Sequence, residues 1–215
     1  MPAEPHPTTA TARPFRPATP VVIGLVGGIA AGKSTVATLF AARGLHHVDA
    51  DVQARLAAAE PAILAELAAA FGPSVVAGGG LDRAAMAQVV FADEGARARL
   101  EAILHPRIRA RILAELAAAK ARGDSVLLDA PLMIETGLVE VCDWVVFVDC
   151  DDTERRRRAR ARGWPAGELQ RRQAAQLPLA EKRARATHHV DNGGDLAATA
   201  RQVDAVLTAL EATTP

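Results

Sequence analysis

Two cysteines, three lysines, two tryptophans and no tyrosine are all that 215 residues hold of these types, and each scarcity removes a class of explanation. Cys142 and Cys150 flank an apolar run; on a strand, at about 3.3 Å per residue, they stand about 26 Å apart and cannot pair. A chain with no disulfide framework suits a reducing compartment, so the expected location is the cytoplasm. No stretch approaches the ~18 consecutive apolar residues of a membrane span, and no membrane partner is expected. An excess of either charge is also missing: Lys plus Arg and Asp plus Glu number 25 each. Without a general field to draw it toward nucleic acid, the chain is expected to have no nucleic-acid partner, and any electrostatic function is local. His6, His46, His47, His188 and His189 show no Cys/His spacing of a zinc site, so no zinc is expected.

Half of the residues are hydrophobic, enough for one domain of this length, with room for a small subdomain, to bury roughly 70% of its unfolded surface. Six prolines fall within residues 1–20, which read as a disordered Pro-rich tail without the apolar core of a secretory signal. From Val21 the run VVIGLV suits a strand buried on both faces of a parallel sheet. A helix is expected over Ser34–Ala42, stopped by Gly44, and a weaker strand over His46–Val48. Between Pro61 and Arg122 the pattern is helical, with breaks expected at the Ala77–Gly80 loop and at His105-Pro106. Two apolar strands then follow, Ser125–Asp129 and Asp143–Asp149, each closing on an acid. Helices over Thr153–Thr187, a short strand near His189-Val190 and a last amphipathic helix over Leu196–Leu210 complete an α/β alternation.

Gly27-Gly28-Ile29-Ala30-Ala31-Gly32-Lys33-Ser34 matches G-x-x-x-x-G-K-[ST] between a buried strand and a helix, the context that motif requires. Glycines let backbone N–H groups turn inward around phosphates, and the helix N-terminus adds its positive end. Lys33 is then the cation for the β- and γ-phosphates of a nucleotide, Ser34 a ligand of Mg²⁺, and Thr35 follows on the same first turn; phosphoryl transfer, hydrolysis and a nucleotide switch all remain open. Among 25 basic residues only three are lysine, so a lysine here is a departure from the chain's habit. A compact ammonium fits a tight phosphate loop where a planar guanidinium does not.

The acceptor has to be read elsewhere. Asp49-Ala50-Asp51 ends the second strand, and ligands of open α/β sheets gather at carboxyl ends of strands. One carboxylate there can take a proton from an attacking hydroxyl; the alternative, for Asp49 or for Asp51, is that it merely caps the next helix. Arg155-Arg156-Arg157-Arg158 with Arg160 and Arg162 is helical by spacing, so these side chains spread over more than one face. At least half of them read as a solvated face pairing with Asp151, Asp152 and Glu154.

In order and spacing the chain resembles the dephospho-CoA kinases of the P-loop kinase superfamily. The resemblance spans nearly all of residues 21–212. It rests on Gly27-Gly28-Ile29, Asp49-Ala50-Asp51 with Ala54-Arg55, Leu104-His105-Pro106-Arg107-Ile108 and Asp129-Ala130-Pro131-Leu132-Met133-Ile134-Glu135. It continues in Arg172, Gln176, Glu181-Lys182-Arg183 and Val190-Asp191-Asn192-Gly193. It implies a three-layer α/β fold: a P-loop NTPase-type parallel sheet, a helical acceptor-binding region over about 52–118, and an Arg-rich lid over about 155–185. The activity implied is ATP-dependent phosphorylation of the ribose 3′-hydroxyl of dephospho-CoA, the last step of coenzyme A synthesis. Asp51 then resembles the general base, and Asp49, Arg55, His105 and Arg107 are acceptor contacts. Arg158 and Arg162, four apart, align with lid arginines that neutralise the transferring phosphoryl group. Asp129 resembles the acid that holds Mg²⁺ through water, with Asp49 the alternative, and Asn192 the contact on the adenine side of ATP. The chain departs from the family at Ala30-Ala31, where Gly-Ser is common; both residues are small, so the loop is expected to close. The chain is read as a monomer. A nucleoside monophosphate or other small hydroxyl acceptor is the alternative substrate. A guanine-nucleotide switch is excluded by the absence of an N-K-x-D base reader.

Overall fold

A computed structural model describes residues 13–213. The chain forms two compact units, residues 13–47 with 119–213, and residues 48–118.

The first unit is built on a five-stranded sheet. Its strands are β1 (Val22–Gly27), β2 (His46–Asp49, whose last two residues open the second unit), β5 (Val126–Asp129), β6 (Trp144–Asp149) and β7 (His188–Asp191). Their order is β2-β5-β1-β6-β7. β1 pairs parallel with β5 on one side and β6 on the other, and β6 pairs parallel with β7. All six residues of β1 are buried, as expected of a central strand covered by helices on both faces. From β1 the chain goes to β2 and β5 on one side and then crosses to β6 and β7 on the other, which places a crevice at the carboxyl end of β1. Helices α1 (Lys33–Ala41) and α9 (Leu196–Thr213) contribute Val36, Phe40, Val203, Leu207 and Leu210 to the same core as Ile23, Leu25, Leu127 and Val146. The region expected to form a lid folds as α6 (Asp152–Ala161), α7 (Glu168–Ala174) and α8 (Leu179–Ala184).

The second unit holds α2 (Ala50–Ala57), α3 (Pro61–Phe71), the two-residue strands β3 (Val76–Ala77) and β4 (Gly80–Leu81), α4 (Arg83–Ala92) and most of α5 (Ala96–Arg122). Ile63, Leu67, Val75 and Met86 form its buried core, with Leu100, Ile103 and Leu104 against it.

Three expectations are corrected. The segment from Ala77 to Gly80 is a small antiparallel hairpin rather than a loop. His105-Pro106 does not end a helix: α5 runs through Pro106 without interruption. Proline inside a helix costs about 3 kcal/mol, and Ile103 and Leu104 before it with the buried Ile112 and Leu116 after it supply more apolar burial than that. The disordered tail assigned to residues 1–20 lies outside the described residues over 1–12, but residues 13–20 are held. Phe15 is buried in the core of the first unit, and its amide donates to the Arg43 carbonyl at 2.8 Å. Glu211 of α9 accepts from Arg13 Nη2 at 2.6 Å and from the Arg16 amide at 2.7 Å. One buried aromatic ring outweighs the reluctance of a proline-rich segment to order.

Candidate active site

The motif Gly27–Ser34 forms the turn from the end of β1 into the start of α1. Gly32, the residue before α1, has φ +87°, in the left-handed region that glycine enters without steric cost. A Cβ there would stand 2.2 Å from Asn192 Nδ2 and 2.8 Å from Arg158 Nη1, so space excludes a side chain as firmly as conformation does. Ala30 also lies in that region, at φ +63°. The loop does close with Ala30-Ala31, but with the backbone of Ala30 strained by about 1–2 kcal/mol. No side chain caps α1, and its first internal bonds run from the Thr35 and Val36 amides to the Gly32 carbonyl. The amides of Lys33 and Ser34 are thereby left at the positive end of the helix, where an anion is favoured.

Lys33 Nζ lies 2.6 Å from Asp129 Oδ1, the acid that ends β5, and His47 Nε2 lies 3.9 Å from Asp129 Oδ2. Ser34 and Asp129 offer hard oxygens, the donor type Mg²⁺ takes. Among the described residues no cluster of three or more His, Cys, Asp or Glu could hold a metal.

Arg158, on the helix after β6, and Asn192, just after β7, brace the loop. Arg158 donates from Nη1 to the Ala31 carbonyl at 2.9 Å, from Nη2 to the Asn192 carbonyl at 2.7 Å and from Nε to Glu154 at 2.8 Å. Beside Arg157 and Arg158, the Glu154 carboxyl is held down to about 2. Asn192, 5% exposed, donates from Nδ2 to the Ala31 carbonyl at 2.8 Å and accepts from Thr199 Oγ1 at 3.1 Å. The sequence offered Asn192 as an adenine contact in a loop; its amide is instead committed to the phosphate loop. Thr199, which holds Asn192, carries no signal in the sequence. Arg162 also parts company with Arg158. It ends α6, exposed, with its guanidinium 5.8 Å from the Trp164 ring, while Arg172 covers the same ring at 4.5 Å. Trp164 thus has cations as neighbours, and its side chain packs against Ala159 and Leu169.

In the second unit Asp49 is the N-cap of α2: its Oδ1 accepts from the Asp51 amide at 2.7 Å and the Val52 amide at 3.2 Å. Asp51 sits in the first turn of α2, exposed, where a carboxylate is favoured by the helix end. Arg55 lies in the last turn of α2, exposed, and His105 is exposed on α5. Arg107 is paired with Glu60, which also accepts from Arg111 at 2.8 Å. These arginines hold the Glu60 carboxyl below its ordinary value, Arg107 foremost.

Two further features escaped the sequence reading. Lys182, 1% exposed, lies 3.0 Å from Glu135 and donates to the Pro131 carbonyl at 3.1 Å and to Gln176 Oε1 at 3.0 Å. This ties α8 to the segment that follows β5. Arg155 is buried within a run of otherwise more exposed arginines. His188 and His189 are neighbours in β7, edge-on to Trp144 and Phe147, which makes them packing residues of the sheet.

With the loop, its lysine and its acid in place, the chain can be set beside known proteins. The dephospho-CoA kinase family model matches residues 21–198. The chain belongs to the dephospho-CoA kinase family. It is similar to the dephospho-CoA kinase of Deinococcus radiodurans, 49% identical over 207 residues, covering 95% of this chain and 100% of that one. The crystal structure of TT1252 from Thermus thermophilus superposes with a TM-score of 0.76 at 38% identity, covering 89% of this chain and 98% of the other. Dephospho-CoA kinase from Campylobacter jejuni shares the fold, with a TM-score of 0.69 at 21% identity over 89% of this chain and 97% of that one. Members of the dephospho-CoA kinase family share the α/β architecture that β1, the phosphate loop and α1 define here.

Proposed function

We propose that this chain transfers the terminal phosphate of ATP to the ribose 3′-hydroxyl of dephospho-CoA, giving coenzyme A and ADP. The single observation that carries the reading is the family match over residues 21–198, set on a formed phosphate loop whose Lys33 meets the acid of β5.

The roles follow from the chemistry of phosphoryl transfer, in which a protein positions the reactants and stabilises developing charge. Amides of the loop from Gly27 to Ser34 and of Thr35 cradle the phosphates, and Lys33 supplies the cation at the β- and γ-oxygens. Ser34 holds Mg²⁺, with Asp129 behind it through water; the ion, when bound, neutralises charge on the phosphates. Asp49 is spent largely on capping α2, which favours Asp129 for that part. Asp51, freed from capping, takes the proton of the attacking hydroxyl. Arg55, His105 and Arg107 recognise the acceptor, Arg107 giving up part of its bond to Glu60. Arg158 holds the loop in shape, and Arg162 from the stretch 155–185 adds positive charge over the transferring group when that stretch closes as a lid. Closure excludes water and protects ATP from hydrolysis. The chain acts as a monomer in the cytoplasm.

ADP release by purified protein with Mg²⁺-ATP, compared across dephospho-CoA, a set of nucleoside monophosphates and no acceptor, tests the reading. Turnover with dephospho-CoA alone is expected. Turnover with a nucleoside monophosphate and none with dephospho-CoA overturns it.

A further inference from the structure

Arg155 stands apart from the rest of its run. Arg156 and Arg157 are exposed and pair with Asp152 and Glu154, as a solvated helix face does. Arg155 is 7% exposed. Its Nη2 donates to Asp152 Oδ1 at 2.9 Å, but Nε and Nη1 are buried with no hydrogen-bond partner, the only such side-chain atoms among the described residues. A buried donor left unmade costs about 1–3 kcal/mol, and more when the group is charged, so two on one guanidinium call for an explanation.

The position of those atoms supplies one. A Cβ placed on Gly28, the second residue of the phosphate loop, would stand 3.2 Å from Arg155 Nη1 and 3.4 Å from its Cδ, with Leu179 Cδ2 at 3.3 Å. The guanidinium therefore lies against the loop backbone at Gly28, whose lack of a side chain lets it approach, and Leu179 stands at the same point of the loop. Arg158, one turn further along α6, donates from its nitrogens to the Ala31 and Asn192 carbonyls and to Glu154. Arg155 is the cation at this loop whose donors remain unspent. A phosphate oxygen is the acceptor that a buried, charged N–H donor of this kind matches.

We propose that Arg155 is a further phosphate-contacting residue of this enzyme, giving the Nη1 hydrogens beside Gly28 to an oxygen of the nucleotide held by the loop. The inference rests on the loop's holding ATP. It assigns binding energy to a residue for which the family resemblance implied no role.

Titration calorimetry with ATP, ADP and inorganic tripolyphosphate on the wild type, Arg155→Met and Arg155→Lys tests it. Thermal unfolding without ligand is measured on each. The expected result is a 10- to 100-fold loss of affinity for ATP and tripolyphosphate in Arg155→Met, with a melting temperature without ligand equal to or above that of the wild type. Partial recovery is expected in Arg155→Lys. Affinities within twofold of the wild type overturn the proposal, as does a lower melting temperature with the ATP-induced rise intact. A wild type that fails to bind ATP at all overturns the reading of the loop instead. For variants that do not fold, the Arg155 guanidinium N–H resonances of the wild type decide: they shift on tripolyphosphate addition if the contact forms and stay in place if it does not.

Discussion

The Lys33 ammonium and the Asp129 carboxylate stand 2.6 Å apart, joining the phosphate loop at the end of β1 to the acid at the end of β5. β1 and β5 are adjacent and parallel, so any motif lysine that follows the first meets any acid that ends the second. Lys33→Ala removes the cation and leaves Asp129 unpaired; kcat is expected to fall by at least about 10²-fold. Asp129→Asn should act differently, raising the Mg²⁺ concentration needed for half-maximal rate more than it raises KM for ATP. Steady-state rates over a Mg²⁺ series separate the two.

Asp51 lies two residues after Asp49, and a different task is proposed for it. Asp51→Asn keeps the helix end occupied by a polar side chain and removes only the basic oxygen, so kcat should drop by about 10²–10⁴-fold with little change in melting temperature. Asp49→Ala should instead cost about 1 kcal/mol of stability through loss of the cap. Thermal unfolding and initial rates on both variants check the division; an unchanged kcat in Asp51→Asn demotes it to a binding contact.

The loop contains two residues in left-handed backbone, one suited to it and one not. Gly32→Ala adds a Cβ 2.2 Å from Asn192 Nδ2 as well as the conformational penalty, and should lower stability by about 2–4 kcal/mol with nucleotide binding lost. Ala30→Gly should leave stability within about 1 kcal/mol of the wild type, because relief of strain is offset by a freer unfolded chain. Denaturant unfolding of the pair measures both.

Glu135 and Lys182 give a pH dependence whose sign can be worked out. Burial pushes the Glu135 carboxyl up, but the Leu177 amide, its own amide and the Lys182 ammonium together hold it below its ordinary 4.5. A lowered folded value means stability present above the unfolded value and lost as pH falls from about 4.5 through the folded one. Glu135→Gln should flatten the loss of stability between pH 5 and pH 3. Lys182→Met, which leaves the carboxylate without its partner, should cost about 2–4 kcal/mol at pH 7. Melting temperatures across that pH range, in both variants, check the assignment.

The phosphate loop was legible because its chemistry is written in eight consecutive residues, and the strands because parallel burial leaves unbroken apolar runs. What the sequence hid are relationships across long separations. Nothing near Asn192 announces that its amide meets the Ala31 carbonyl. Arg158 and Arg162 share a helix face by spacing, yet one ends on the loop and the other over Trp164, because α6 stops between them. Pro106 signalled a break that local rules favour and packing overrides. Phe15 was hidden by the prolines around it. In each case a local preference of one or a few kcal/mol was set against tertiary burial of comparable size, which only the fold can weigh.

Glu211 receives both Arg13 and the Arg16 amide, so the segment that leads into the central strand begins where the last helix finishes. Residues 13–16 are thus neighbours of the end of α9, and the sheet depends on which strands are adjacent rather than on where the described residues are cut. A circular permutant joining residue 213 to residue 13 through a short glycine linker, and opened at the exposed Gly78-Gly79 turn, would keep every pairing of the five-stranded sheet. Its phosphate loop would then follow residues 79–213 rather than precede them, so that the loop no longer depends on being near the start of the chain.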